Sequence, residues 1–125
     1  MTRTGRTLVA TFLALALFAT AVAADDFDAL KAKGVDEIVC TAVNDAFVMK
    51  NWGAANGSPD VTMLADGNGD FVKALGLVMD GTGFGMGLRG QRFSMVLDNG
   101  VVTELNVEGP GEFKVSAAEF MLGQL

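Results

Sequence analysis

Histidine and tyrosine are absent from this chain of 125 residues, and cysteine occurs only once. Without histidine the chain lacks the commonest general base and metal ligand, and it cannot form a Ser-His or Cys-His nucleophile pair. A single cysteine also excludes an intramolecular disulfide. We therefore expect neither histidine-based catalysis nor a disulfide framework, and we predict no bound metal and no cofactor.

Positive charge is scarce as well. The 9 Lys and Arg are outnumbered by 15 Asp and Glu, which gives a formal net charge of -6. No basic stripe with interleaved aromatic residues is present, so the charge pattern gives no sign of nucleic-acid binding. The length suffices for one domain with a core of its own.

The first 24 residues differ from the rest of the chain. Arg3 and Arg6 precede the apolar run LVATFLALALFATAVA, which ends in the small residues that a signal peptidase recognises. Three interpretations stay open for this segment: a cleaved secretory signal, a retained membrane anchor and an element of the fold. The basic start and the A-x-A end favour the signal. We therefore assign residues 1–24 to a signal-like apolar helix and expect export to the periplasm or the medium; without a real signal the protein would be cytoplasmic.

From residue 25 onward, helical and strand patterns alternate. Two short apolar runs, EIVCTAV and VTML, predict strands, and helices are predicted before Gly34, after an N-cap at Asn44 and in GDFVKALGL. The run RFSMVLDNGVVTELNV predicts a hairpin with its turn at residues 98–100. A capping box between Ser116 and Glu119 predicts the start of a last helix. This order indicates an α/β domain with a mixed sheet over residues 25–125.

Cys40 lies in the middle of the strand EIVCTAV, where both faces are mostly apolar. A buried thiol has a raised pKa and stays unreactive, and this stretch offers neither a helix N-terminus nor a neighbouring cation to activate it. We therefore interpret Cys40 as a core residue.

The loop from Gly81 to Gly90 is rich in glycine and invites comparison with a phosphate-binding loop. A dinucleotide fingerprint requires a helix after its glycines, whereas a strand follows here. The loop therefore predicts close backbone approach to a site or a partner. Arg92 opens the following strand, and its position alone indicates a solvated arginine. The segment ADGNGD lacks the alternating acids of a calcium loop and predicts a turn with a helix start.

The strings VNDAFVM, LADGNGDF and RFSMV resemble those of peroxiredoxins, in particular the redoxin subfamily of plant type II and animal atypical two-cysteine enzymes. The resemblance extends from about Phe27 to Leu125. It implies a thioredoxin-like fold and a thiol-dependent reduction of hydroperoxides. It also implies a hydroperoxide substrate, a reductant of the glutathione or glutaredoxin type, and a possible homodimer.

The resemblance assigns Arg92 to the arginine that holds the peroxidatic thiolate and polarises the peroxide in the family. The Pro-x-x-x-Thr-x-x-Cys loop that carries this thiol is missing from the chain, and Cys40 matches a strand position outside that site. The fold should therefore be incomplete at its N-terminal strands. The edge beside EIVCTAV should then stay open and the domain be poorly stable, unless the segment Leu8–Ala23 or a partner fills the gap.

Three functional hypotheses follow. The first is a peroxiredoxin-family protein that is disabled as a thiol peroxidase because the peroxidatic cysteine is absent. The second is an exported pseudo-enzyme that binds a partner or dimerises through the loop Gly81–Gly90. The third is a peroxidase that uses Cys40 itself.

Overall fold

A computed structural model describes residues 5–11, 24–56 and 60–125. The strands of this part are β1 (Arg6–Thr11), β2 (Glu37–Ala42), β3 (Val61–Ala65), β4 (Val78–Asp80), β5 (Leu88–Gly90), β6 (Phe93–Asp98) and β7 (Val101–Val107). The helices are α1 (Ala24–Ala32), α2 (Ala46–Ala55), α3 (Asp70–Leu75) and α4 (Ala118–Leu122), and a 3-10 turn spans Thr82–Phe84. The predicted alternation of helices and strands is confirmed.

The main sheet has five strands in the order β3-β2-β1-β6-β7. Strands β1, β2 and β3 run parallel to one another, whereas β6 is antiparallel to both β1 and β7. Strands β4 and β5 form a separate two-stranded antiparallel ribbon. The sheet is therefore mixed, as the sequence predicts.

The central strand of this sheet comes from the segment that we assigned to a signal-like helix. Arg6–Thr11 pairs with β2 over five residues on one side and with β6 over five residues on the other. The expected helix is thus wrong for these residues, and the open edge expected beside β2 is occupied. A short apolar run suits a strand as well as a helix, and here two neighbouring strands offer it hydrogen-bonding partners. The rest of the segment, residues 1–4 and 12–23, lies outside the described residues, so its cleavage remains a prediction.

Apolar side chains pack on both faces of the sheet. One cluster contains Ile38, Cys40 and Ala42 from β2 together with residues of α1, α2 and α4. The other contains Val39 from β2 with Leu77, Phe93 and Met95. The alternation along β2 explains this division, because successive side chains of a strand point to opposite faces.

The hairpin prediction is confirmed by the turn between β6 and β7. Asn99 has a φ of 51° and Gly100 a φ of 79°, so both central residues adopt the left-handed conformation. Two successive residues of this kind match the right-handed twist of the flanking strands. The turn therefore fixes the register of the hairpin locally.

Two predicted helix caps differ from those in the structure. Helix α2 is capped by Asp45, whose side chain accepts a hydrogen bond from the Val48 amide, and not by Asn44. Helix α4 begins after Ala117 without a side-chain cap. The capping box at Ser116 is wrong because the Ser116 hydroxyl instead hydrogen-bonds to Glu108 and Arg92. Among the helices of the described ranges, none has the length and apolar character needed to cross a membrane.

Candidate functional site

Arg92 directly precedes β6, at the end of the sheet where β1 finishes. Ala10 near the end of β1 is paired with Ser94 near the start of β6, because the two strands are antiparallel. Because β1 and β2 are parallel, the carboxyl end of β2 lies at the same edge of the sheet. The carboxyl ends of β1 and β2 therefore lie at the same edge of the sheet as Arg92, the edge where ligands commonly bind in α/β sheets.

The Arg92 side chain contacts Ser116 and Phe113. Its Nε donates a hydrogen bond of 3.1 Å to the Ser116 hydroxyl, and its guanidinium carbon lies 4.0 Å from the centre of the Phe113 ring. Arg92 is half-buried. The structure therefore does not show the solvated arginine that the strand-end position alone indicates.

Glu108 organises the segment that holds Arg92. One carboxylate oxygen, Oε1, accepts hydrogen bonds from the Lys114 amide at 2.7 Å, the Ser116 amide at 2.7 Å and the Ser116 hydroxyl at 2.8 Å. The Glu108 amide also donates to the main-chain oxygen of Arg92 at 2.9 Å. Because Ser116 bridges the carboxylate and the guanidinium, Glu108 fixes the orientation of Arg92 through one intermediate hydroxyl.

Opposing effects act on the charges of this pair. Burial alone would raise the pKa of Glu108, but hydrogen bonds from Ser116, Lys114 and Val115 together lower it below its ordinary value. Burial lowers the pKa of Arg92, and the nearby Glu108 carboxylate partly offsets this effect. Both groups are charged at neutral pH, because the pKa of Glu108 is lowered and a guanidinium keeps its proton in proteins.

A cavity of about 590 Å³ adjoins Arg92. Its lining comes from β4, from the residues preceding β6 and from the turn after β7: Val78, Met79, Asp80, Gln91, Arg92, Glu108, Gly109, Pro110, Gly111, Glu112 and Phe113. The volume is in the range of small-molecule sites. Within residues 5–11, 24–56 and 60–125, no group of three acidic, cysteine or histidine side chains is arranged to hold a metal ion.

Cys40 lies elsewhere, in the apolar cluster between the sheet and its helices. Only 3% of the residue is exposed, and burial raises the pKa of its thiol to about 12. The structure therefore agrees with the interpretation of Cys40 as a core residue, and among the residues that it describes burial dominates the environment of the thiol.

The glycine-rich segment is more ordered than the predicted loop. Its last residues form β5, which pairs with β4, and Thr82–Phe84 forms a 3-10 turn. Arg89 anchors the segment by donating to the Val43 oxygen at 2.7 Å and to the Asn44 side-chain oxygen at 3.2 Å. At the tip, Phe84 is 82% exposed. The segment thus approaches the carboxyl end of β2 as a braced turn that presents an aromatic ring to solvent.

Comparison with known proteins places the chain in a family. The Redoxin family model matches residues 18–122. Peroxiredoxin-2D of Arabidopsis thaliana is 50% identical over 97 residues, which cover 77% of this chain and 60% of the relative. Chloroplastic peroxiredoxin-2E of the same plant is 46% identical over 99 residues, covering 77% of this chain and 42% of that protein. The name of the latter places that relative in chloroplasts.

Among solved structures, reduced Prx3 of Vibrio vulnificus in complex with hydrogen peroxide matches with a TM-score of 0.85 and 47% identity, covering 97% of this chain and 82% of that one. The chain belongs to the redoxin family of peroxiredoxins, and its fold is thioredoxin-like. It spans 60% of the length of the first curated relative.

The contacts of Arg92 could not be read from the sequence. The sequence identifies Arg92 only by resemblance and does not indicate its partners Ser116, Glu108 and Phe113. They lie far along the chain from Arg92 and follow no fixed spacing, and Ser116 looked like a helix cap. The one available signal was Glu108 itself, an acid at the end of an alternating strand directly before a Gly-Pro-Gly turn.

Proposed function

We propose that this chain is a peroxiredoxin-family protein that keeps the arginine of a hydroperoxide site but lacks the reacting thiol, so that on its own it does not reduce hydroperoxides. The observation that carries this proposal is the location of its single cysteine. Cys40 is buried in the apolar cluster, whereas Arg92 contacts Ser116 and Phe113.

The chemistry of a thiol peroxidase explains why this location matters. A thiolate attacks one peroxide oxygen, a sulfur–oxygen bond forms as the oxygen–oxygen bond breaks, and the leaving oxygen takes up a proton as alcohol or water. With a pKa of about 12, Cys40 is a thiolate in about one molecule in a hundred thousand at pH 7. Burial also keeps a hydroperoxide from reaching the sulfur. Arg92 can hold a peroxide oxygen by charge-assisted hydrogen bonding, but it cannot supply the electron pair.

A coupled assay tests this proposal. The chain and its Cys40→Ser variant are incubated with tert-butyl hydroperoxide, glutathione and glutaredoxin, and NADPH consumption is followed through glutathione reductase. We expect both proteins to remain at the rate of the blank, while a relative with an intact Pro-x-x-x-Thr-x-x-Cys loop turns over. Turnover by the chain that disappears in Cys40→Ser would instead establish Cys40 as a peroxidatic residue.

A second candidate function is a binding or dimerisation module that uses the segment Gly81–Gly90. The observation in its favour is the exposure of Phe84, of which 82% is accessible at the tip of a braced turn. Sedimentation velocity of the chain and of Phe84→Ser over a range of concentrations tests it. We expect the variant to associate less, and Val101→Ser, which changes another exposed apolar residue, to behave like the parent. A chain that is monomeric at every concentration contradicts homodimerisation through this turn.

Export is a further part of the proposal and depends on residues 1–24. Cleavage after Ala23 or Ala24 would remove β1, the strand between β2 and β6. A cleaved signal and the five-stranded sheet therefore exclude each other within one molecule. Mass spectrometry of the natural protein decides between them: an N-terminus at Ala24 or Asp25 supports the signal, and one that precedes Arg6 supports the strand.

A further inference from the structure

Asparagine followed by glycine is the pair of residues from which a side-chain amide is lost most readily. The sequence has three such pairs, and two of them lie wholly within the residues that the structure describes. They are Asn68-Gly69, directly before α3, and Asn99-Gly100, in the turn between β6 and β7. The reaction begins when the glycine amide nitrogen attacks the asparagine side chain, so its rate depends on how firmly that nitrogen is held.

The fold holds Gly69 firmly. The residue is buried, and its amide donates a hydrogen bond of 2.9 Å to the main-chain oxygen of Asp66. A methyl group built on Gly69 would lie 2.5 Å from the Leu88 side chain, so β5 packs directly against this residue. The Asp66 carboxylate in turn accepts hydrogen bonds from two amides of α3. Attack at Asn68 therefore requires the first turn of α3 to open.

Gly100 is held much less firmly. Both Asn99 and Gly100 are exposed, and a methyl group built on Gly100 would meet no atom within 4 Å. The hydrogen bond that closes a β-turn joins the residues on either side of the central pair, so it does not engage the Gly100 amide. Exposed turns open locally at a small cost in free energy. The Gly100 nitrogen can therefore reach the side chain of Asn99 without unfolding of the sheet.

We propose that Asn99 is a deamidation site of the folded chain. The Gly100 nitrogen forms a bond to the side-chain carbonyl carbon of Asn99, and the side-chain nitrogen leaves as ammonia with the proton of the attacking amide. Water then opens the resulting cyclic imide at either carbonyl, which leaves aspartate or isoaspartate at position 99. The reaction needs no thiol and no peroxide, so it is independent of the function proposed above.

The isoaspartate product should disturb the fold more than the loss of the amide does. Its main chain passes through the side-chain methylene and is one carbon atom longer, which a two-residue turn cannot accommodate in the observed register of β6 and β7. The same turn holds the residue before β1, because the Asn99 amide donates to the Gly5 oxygen at 3.0 Å. Deamidation at Asn99 should therefore weaken the pairing of β6 with both of its neighbours.

Incubation of the full chain at pH 8 in ¹⁸O-labelled water, followed by peptide mapping with mass spectrometry, tests the proposal. Opening of the imide adds one solvent oxygen, so the label marks each site that has reacted. We expect labelled product at position 99 to form at least about tenfold faster than at position 68. In urea the two sites should react at similar rates, because the fold no longer protects Asn68. Equal or faster reaction at position 68 in the folded chain, or the same tenfold difference in urea, would overturn the proposal.

Two variants connect the reaction to stability. Asn99→Gly removes the reactive amide and keeps a residue that accepts positive φ, and Asn68→Gly is the matched control. Each protein is compared with itself, fresh and after incubation, by its urea midpoint. The parent and Asn68→Gly should lose stability as isoaspartate accumulates at position 99, whereas Asn99→Gly should keep its midpoint. An equal loss in Asn99→Gly contradicts the proposal, as does a parent that carries isoaspartate at position 99 and keeps its midpoint.

Discussion

A chain that begins at Ala24 lacks β1, and we expect it not to fold. Removing β1 eliminates two sets of five register pairs, one with β2 and one with β6. If each pair contributes on average only about 0.5 kcal/mol, the loss is about 5 kcal/mol. This loss equals the lower end of the about 5–15 kcal/mol by which whole domains are stable. Val39 and Met95, which are buried and stand opposite Val9 in register, would also lose the strand between them.

Urea denaturation followed by far-UV circular dichroism measures this effect. The full chain should unfold in one cooperative transition, and the chain from Ala24 should show none. A chain that begins at Thr4 is the matched control, because it keeps all of β1 and should retain the midpoint of the full chain. A cooperative transition of the Ala24 chain at that same midpoint would refute the role assigned to β1.

Three further predictions concern single residues. At pH 8, Cys40 should react with a bulky alkylating reagent about a thousandfold more slowly in the folded chain than in urea, because burial raises the pKa of its thiol from 9.0 to about 12. Equally fast labelling in both states would show that the thiol is accessible. The pKa of Glu108 is lowered in the folded state, so the stability that its carboxylate supplies is complete above the ordinary glutamate pKa of about 4.3 and is lost as the pH falls through the lower folded-state value. The urea midpoint of Glu108→Gln should therefore fall less steeply with decreasing pH in this acidic range than the midpoint of the parent chain. Parallel curves for the two proteins would contradict this role of Glu108. Gly100→Ala should lower the free energy of unfolding by about 1 kcal/mol, because the backbone φ at this position is 79°. Gly83→Ala, where the added methyl group contacts no other atom, should leave the urea midpoint unchanged. Equal midpoints for the two variants would contradict the strain argument.

The elements that the sequence predicted correctly are those whose signals are local. The hairpin of β6 and β7 was predicted because Asn99 and Gly100 tolerate positive φ, and alternating residues flank them. Strand β2 was predicted from its β-branched run between turn residues. In both cases, the residues that determine the conformation lie within the element itself.

Strand β1 was missed because its identity depends on distant partners. The composition of Arg6–Thr11 resembles the start of a signal peptide, and only pairing with β2 and β6 makes these residues a strand. The surroundings of Arg92 were missed for the same reason. A hydrogen bond between Arg92 and Ser116, bridged onward to Glu108, is a product of tertiary structure and leaves no periodic trace in the sequence.

The position of β1 also bears on the order of events during synthesis. Its antiparallel partner, Ser94–Asp98, is synthesised only after β2 and β3. Until then one side of this apolar strand has nothing to pair with. Until the C-terminal hairpin has formed, β1 is an unpaired apolar segment of the kind that chaperones bind during folding.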